Sequence, residues 1–220
     1  MTELPDGYKM VIFDIDGTLY NQKKMRLFMA LELAAYYGIR PWRIGEINVL
    51  KHFRREREKN ALDANKNVNI MENQYKWCQP FVNHSLTEIQ TIVETWMHKR
   101  PLKYLSKCTY KHVSSYIDNL NEKGVITCAY SDFRGDEKLN AMKLNIQHCY
   151  SSEQNEINVL KPKPKGINYI AQLHGIDKES ILFVGDRAKL DGKCASNANV
   201  SYYQIDRDTA NQQYFKLLNE

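Results

Sequence analysis

Two aspartates near the start of the chain are separated by a single residue. Asp14 lies within the otherwise apolar run from Met10 to Ile15, Asp16 directly follows that run, and Gly17 comes next. Carboxylates removed from water repel one another and resist ionisation unless a positive charge lies close to both. The stretch therefore predicts a bound cation at the end of a buried strand.

Two later apolar runs end in polar side chains in the same way. Residues 125–130 lead into Ser131 and Asp132, and residues 181–184 lead through a glycine into Asp186. In an open parallel sheet the carboxyl ends of the strands lie on one edge, and ligands bind in the crevice outside that edge. Three distant segments are therefore predicted to deliver carboxylates and a hydroxyl to one site.

The residue types at this edge indicate the cation and the reaction. Oxygen-only ligands favour Mg²⁺ over zinc. Mg²⁺ with a nearby lysine suits phosphoryl transfer, because both neutralise charge on the transferring group. Lys161, in the sequence Lys-Pro-Lys-Pro at 161–164, can supply that lysine, although Lys163 and Lys165 remain open alternatives. An aspartate can then attack phosphorus and form an acyl-phosphate.

The remaining pattern predicts the elements that would position these residues. Apolar runs alternate with amphipathic helical patterns after residue 101, which predicts an α/β fold with a Rossmann-like parallel sheet. Residues 21–100 are predicted to be an all-helical subdomain inserted after the first strand. We thus expect a catalytic core from 1–20 and 101–220. Within the insert, residues 60–69 are predicted to be a loop, Ser85 and Glu88 a capping box, and Pro101 the end of a helix.

Composition fits a globular protein of ordinary type. Of 220 residues, 43% are hydrophobic and 26% charged, and the formal net charge is +5. The charge suits an anionic metabolite as well as nucleic acid and does not choose between them. Five cysteines without close pairs favour reduced thiols in the cytoplasm. No signal peptide is visible, and no apolar run reaches the roughly 18–20 residues that span a bilayer.

Four segments together are similar to the motifs of the haloacid dehalogenase superfamily. They are Asp-Ile-Asp-Gly-Thr-Leu at 14–19, Ser131 after its strand, the Lys-Pro-Lys-Pro sequence at 161–164, and Gly-Asp-Arg-Ala-Lys-Leu-Asp at 185–191. The motifs occur in the order typical of the family, and the resemblance extends over nearly the whole chain. The resemblance implies a hydrolase whose helical cap is inserted between the first and second motifs.

The resemblance also implies a role for each matching residue. Asp14 would be the nucleophile and a Mg²⁺ ligand, and Asp16 the general acid and base, with its backbone carbonyl on the metal. Ser131 would bind the phosphoryl oxygens and Lys161 would pair with the nucleophile and the phosphate. Two more aspartates complete the set: Asp186 as a metal ligand and Asp191 in or next to the metal shell.

The resemblance predicts phosphoryl chemistry, since members that cleave carbon–halogen bonds usually lack the second aspartate and the metal. The leading hypothesis is a Mg²⁺-dependent phosphatase whose partner is a small phosphorylated metabolite, not nucleic acid or a membrane. A phosphomutase similar to β-phosphoglucomutase and a module switched by aspartyl phosphorylation are the alternatives. Asp132 is predicted to be a cap or supporting group, and Arg187 and Lys189 to be solvated. The substrate and the oligomeric state do not follow from the sequence.

Overall fold

The computed structural model describes residues 7–62 and 69–219. Two compact units divide the chain. One takes in the described parts of Met1–Gln22 and Leu105–Glu220, and the other is Lys23–Tyr104. We call them the sheet unit and the helical unit.

Within the described residues, five α-helices lie wholly or largely in the helical unit. They are α1 (Gln22–Gly38), α2 (Glu46–Leu62), α3 (Ile70–Asn73), α4 (Leu86–Val93) and α5 (Arg100–Cys108). The predicted capping box is present at α4, because Ser85 and Glu88 exchange side-chain and backbone hydrogen bonds.

The helix end predicted at Pro101 is wrong, and the loop predicted at 60–69 lies partly outside the described residues. Pro101 does not end a helix: the helical turns continue from α4 through a π-helical segment at Glu94–Lys99 into α5. Pro101 is the second residue of α5 and directly follows the π-helical segment, where the regular α-helical hydrogen-bond pattern is already interrupted. The predicted loop at 60–69 is helical as far as Leu62, and residues 63–68 lie outside the described residues.

The sheet unit is built on five parallel strands in the spatial order β3-β2-β1-β4-β5. The strands are β1 (Met10–Phe13), β2 (Ile126–Ser131), β3 (His148–Ser151), β4 (Ile181–Gly185) and β5 (Ser201–Gln204). β1 is central and all four of its residues are buried, which explains its continuous apolar sequence. The predicted α/β class with a parallel sheet is confirmed.

The described part of the sheet unit contains five further α-helices: α6 (Val113–Glu122), α7 (Asp136–Met142), α8 (Lys165–His174), α9 (Lys193–Ala198) and α10 (Ala210–Asn219). A π-helical turn at Ala188–Gly192 precedes α9. A buried hydrophobic cluster joins β1, β2 and β4 to α8 and α9 through residues such as Ile12, Tyr130, Ile167, Phe183 and Ala195. No helix of the described residues is long and apolar enough to cross a bilayer.

Candidate active site

The register of the sheet brings the predicted site residues to one edge. Phe13, the last residue of β1, pairs with Val184 of β4, and the backbone N–H of Asp14 donates to the Val184 carbonyl over 2.8 Å. Asp186 follows the end of β4, while Ser131 is the last residue of β2 on the other side of β1. The carboxyl ends of the neighbouring strands β2, β1 and β4 therefore carry Ser131, Asp14 and Asp186. Asp16 lies two residues after Asp14, close to the same edge.

Lys161 lies between two carboxylates in the interior of this edge. Its Nζ is 2.5 Å from Asp14 Oδ1 and 2.6 Å from Asp191 Oδ1, and the lysine has no exposed surface. Burial opposes the charged lysine, but Asp14 and Asp191 raise its pKa well above the ordinary value. The ammonium group is therefore held charged, and it neutralises part of the charge that these two carboxylates concentrate.

Asp14 is the most strongly perturbed carboxylate of the edge. Burial raises its pKa to about 7, although the charge of Lys161 acts in the opposite direction. Its second oxygen accepts a hydrogen bond from the Thr18 hydroxyl over 3.0 Å. A carboxylate with few hydrogen-bond donors and little solvation keeps much of its nucleophilicity, and a nearby cation would stabilise its ionised form.

Three carboxylates at this edge form a group that fits a cation. Oxygens of Asp14, Asp186 and Asp191 lie within 4.8 Å of one another, and all three residues are buried. Oδ1 of Asp186 is buried without a hydrogen-bond partner among the described residues. An unpartnered buried carboxylate oxygen is costly unless a cation binds it. The oxygen-only donor set therefore fits Mg²⁺, and Asp191, predicted to be in or next to the metal shell, contributes an oxygen to the group.

The Asp16 carboxylate is not part of this acidic group. Lys138 Nζ is 2.7 Å from each of its oxygens, and the Tyr20 hydroxyl donates to Oδ1 over 2.5 Å. Burial acts to raise its pKa, but the charge and hydrogen bonds of Lys138, together with the bond from Tyr20, lower it to about 2. Asp14 and Asp16 are therefore separated by a single residue yet have different cationic partners. The predicted ligand from Asp16 is its backbone carbonyl, and that assignment stays a prediction.

Ser131 and Asp132 form the start of the loop after β2. Ser131 is buried, and its Oγ accepts a hydrogen bond from the Phe133 N–H over 3.3 Å. Asp132 Oδ1 accepts from the backbone N–H of Lys161 and from the Ser152 hydroxyl, each over 3.0 Å. Asp132 thus ties the segment that carries Lys161 to the β2 edge, which matches its predicted supporting role.

The structure distinguishes the three lysines of the segment 161–165. Lys161 alone among them is fully buried and contacts Asp14, whereas Lys163 is half-buried and Lys165 is exposed at the start of α8. Lys161 is held in this position by the hydrogen bond that its backbone N–H donates to Asp132 Oδ1.

Gly17 allows the first motif to approach Asp186. Its φ of +103° is unfavourable for other residues, and an added Cβ would lie 2.5 Å from Asp186 Oδ2. A side chain here would displace a carboxylate of the acidic group. Position 17 therefore requires glycine both for its positive φ and because there is no room for a Cβ.

Sequence reasoning missed three basic residues of this edge. Lys138 bonds Asp16, the Arg207 guanidinium bonds Asp186 Oδ2, and Arg187 lies 4.0 Å from Asp132 Oδ2. Arg187 was predicted to be solvated, but its Nε is buried without a partner among the described residues. Burial lowers the pKa of Arg187, whereas the charges of Asp14, Asp191 and Asp132 raise it, with a net increase. In the sequence, only the position of Arg187 directly after Asp186 could have indicated that it belongs to this edge.

Comparison with known proteins identifies relatives of the fold. The family model described as haloacid dehalogenase-like hydrolase matches residues 11–205. Comparison with curated protein sequences gives no significant match.

Several solved structures share the fold at low identity. YfnB from Bacillus subtilis, assigned as a HAD hydrolase and solved with bound magnesium, is 14% identical, with a TM-score of 0.64, over 98% of this chain and 100% of that one. A protein from Lactobacillus delbrueckii subsp. bulgaricus, assigned as a phosphoglycolate phosphatase, is 15% identical with a TM-score of 0.55, over 97% and 100%. A 2-haloacid dehalogenase from Pseudomonas syringae pv. Tomato is 14% identical with a TM-score of 0.60, over 90% and 86%.

Proposed function

Because the chain belongs to the haloacid dehalogenase-like hydrolase family, we propose that it is a Mg²⁺-dependent phosphatase that hydrolyses a small phosphorylated metabolite. Asp14 is the proposed nucleophile and Asp16 the proposed general acid and base. The acidic group of Asp14, Asp186 and Asp191 is proposed to hold the ion. When bound, Mg²⁺ would offset the charge of the phosphoryl oxygens and of the attacking carboxylate.

The observation that carries the proposal is the separate environment of Asp16. Its carboxylate is held by Lys138 and Tyr20, apart from the acidic group that includes Asp14. An alkoxide leaving group needs a proton, whereas a halide leaves without one. A second carboxylate reserved for proton transfer therefore favours hydrolysis of a phosphate ester over cleavage of a carbon–halogen bond.

The reaction has two steps that use the two aspartates in turn. In the first, an Asp14 oxygen attacks phosphorus, the bond from phosphorus to the ester oxygen breaks, and Asp16 gives its proton to that oxygen. In the second, water attacks the phosphorus of the acyl-phosphate, Asp16 takes a proton from the water, and the bond from Asp14 to phosphorus breaks. The products are an alcohol and inorganic phosphate, and Asp14 is restored.

Asp16 must be protonated for the first step, although its pKa of about 2 keeps it ionised in the free protein. The negative charge of a bound phosphomonoester raises the pKa of Asp16, and the monoanion, whose own second pKa is about 6, brings the proton that Asp16 then holds. Lys161 stays charged beside Asp14 throughout, and we assign it the neutralisation of the phosphoryl oxygens. Ser131, buried at the end of β2, is the proposed hydrogen-bond donor to the same oxygens.

The proposal is tested by phosphate release from a panel of phosphomonoesters: sugar phosphates, nucleotides, phosphoglycolate and 4-nitrophenyl phosphate. Wild type, Asp14→Asn and a control, Asp177→Asn, are each measured with Mg²⁺ and with EDTA. Asp177 is exposed and belongs to the sheet unit, so its substitution removes the same charge away from the acidic group. We expect release that needs Mg²⁺ and is lost only in Asp14→Asn.

The same protein samples are also assayed for the products of the competing reactions. Halide release from 2-haloacids in EDTA, without phosphate release, would overturn the proposal in favour of a dehalogenase. Isomerisation of a sugar phosphate without net phosphate release would favour a phosphomutase. A stable phosphorylated protein without turnover would favour the signalling alternative.

A further inference from the structure

Lys138 lies on a helix that approaches the first motif unusually closely. Gly135, just before α7, has no room for a side chain: an added Cβ would lie 2.4 Å from Ile15 Cδ1 and 2.8 Å from Cys149 Sγ. Ile15 is the residue between the two aspartates of the first motif. The glycine therefore lets α7 begin directly against the loop that carries Asp16.

Lys138 points from this helix into the protein. It is only 8% exposed, although lysine is almost never buried without a partner. Its ammonium group bonds both Asp16 oxygens at 2.7 Å and lies 5.9 Å from the centre of the Phe133 ring. A lysine that binds both oxygens of one carboxylate fixes the rotation of that carboxylate as well as its position.

We propose that Lys138 is a positioning residue, which holds the Asp16 carboxylate in the orientation that proton transfer requires. This inference rests on the proposed function, in which Asp16 exchanges protons with the leaving group and with water. Lys138 acts through Asp16: the oxygens of Asp14 bond Lys161 and Thr18 instead.

The hydrogen bonds leave one Asp16 oxygen suited to proton exchange. Oδ1 accepts from both Tyr20 and Lys138, whereas within 7–62 and 69–219 Oδ2 accepts from Lys138 alone. A carboxylate oxygen has two lone pairs, so Oδ2 retains one for a proton in transit. Without Lys138 the carboxylate would keep one bond, to Tyr20, and could rotate about it. A displacement of about 1 Å from the productive geometry can lower a rate about 100-fold.

The test compares Lys138→Met, Lys138→Arg and the control Lys143→Met. Methionine keeps an unbranched side chain without the charge, arginine restores the charge, and Lys143 is an exposed lysine next to the same helix. With the best substrate of the panel, we expect Lys138→Met to lower kcat about 100-fold with KM changed less than about threefold, because a residue that acts only through Asp16 affects proton transfer and not substrate binding. Lys138→Arg should recover part of the loss, and Lys143→Met should match wild type.

A double-mutant cycle distinguishes positioning from a general structural effect. If Lys138 acts through Asp16, Lys138→Met has no further effect on kcat in an Asp16→Asn background. A loss of the same size in both backgrounds, or a Lys138→Met enzyme with wild-type kcat, would overturn the inference.

Stability measurements keep the test valid whatever the activity of the protein. Urea unfolding of the same four-member cycle should show non-additive destabilisation, whereas additive values would overturn the pairing itself. Wild-type protein that releases no phosphate while the stability cycle remains non-additive would overturn the proposed function and leave the Lys138–Asp16 pair established.

Discussion

Asp14 and Asp16 have opposite electrostatic environments although one residue separates them. Burial raises the pKa of Asp14 to about 7, while the contacts of Lys138 and Tyr20 with Asp16 lower the pKa of that carboxyl to about 2. Two carboxylates whose pKa values are driven apart are typical of sites that divide nucleophilic and proton-transfer roles. The difference comes from the side chains that surround each aspartate, not from the sequence of the loop.

Asp14→Asn should increase stability in the absence of metal. The folded pKa of Asp14 lies above its unfolded value of 3.8, so the folded state binds the extra proton and stability falls as pH rises from 3.8 to about 7. Asparagine cannot ionise, so the variant does not lose stability in this way as pH rises. In EDTA at pH 8 we expect the free energy of unfolding to exceed that of wild type by about 1 kcal/mol or more, with a smaller excess at pH 5. Urea unfolding at both pH values measures it, and a less stable variant at pH 8 would contradict the prediction.

Lys161→Met should be strongly destabilising. The substitution leaves Asp14 and Asp191 buried without their shared cation, and removal of one partner from a buried ion pair costs about 3–5 kcal/mol. The cost should be smaller at pH 5.5 than at pH 8, because Asp14 then takes up a proton. Urea unfolding of Lys161→Met beside Lys165→Met, an exposed lysine four residues away, measures the effect. Equal stability of the two variants would exclude this role for Lys161.

At the scale of elements, the contact between α8 and β2 fixes the segment that carries Lys161. Gly166, in the first turn of α8, lies against the Tyr130 ring: an added Cβ would be 2.2 Å from Tyr130 Cζ. α8 can therefore approach β2 this closely only because residue 166 has no side chain.

Two glycine-to-alanine substitutions should have opposite effects. Alanine favours a helix over glycine by up to about 1 kcal/mol. Gly38, the last residue of α1, has open space around it, so Gly38→Ala should raise the melting temperature. Gly166→Ala should lower it, since overpacking costs about 1–3 kcal/mol. Thermal unfolding of the two variants beside wild type decides the matter, and a higher melting temperature for Gly166→Ala would mean that α8 can move away from β2 freely.

Elements were more predictable from the sequence than their contacts. Apolar runs identified β1, β2 and β4, and the polar residues after each run indicated a shared edge, because parallel strands align their carboxyl ends. Lys138 could not be predicted in this way. A lone lysine in a polar helix has the pattern of a solvated residue, and only the close approach of α7 at Gly135 brings it to Asp16.

Long-range contacts also explain the other omissions. Arg207 follows β5 and reaches Asp186 only because β5 lies beside β4 in the sheet. Pro101 was wrongly predicted to end a helix because local propensity does not distinguish a helix end from a first turn that follows a π-helical segment.

At the scale of the molecule, the two units differ in what a spectroscopic probe reports. All three tryptophans, Trp42, Trp77 and Trp96, lie in the helical unit, while the acidic group lies in the sheet unit. Tryptophan fluorescence therefore measures the helical unit, and circular dichroism measures both.

Mg²⁺ should stabilise the folded protein through the acidic group. An ion that binds only the folded state at 100 times its dissociation constant adds about 2.7 kcal/mol. We expect Mg²⁺ to raise the melting temperature of wild type by circular dichroism, at constant ionic strength, and to leave Asp14→Asn nearly unchanged. Asp177→Asn should respond like wild type. An equal shift in all three proteins would indicate binding elsewhere.

The nucleophilic role proposed for Asp14 is tested directly by trapping its phosphorylated form. Wild type and Asp14→Asn are mixed with the best phosphomonoester of the panel and Mg²⁺, quenched in acid within one turnover, digested and analysed by mass spectrometry. We expect a peptide containing Asp14 that carries one phosphoryl group and loses it in hydroxylamine, in wild type only. Phosphate release with no phosphorylated peptide, or a phosphoryl group on a residue other than Asp14, would contradict it.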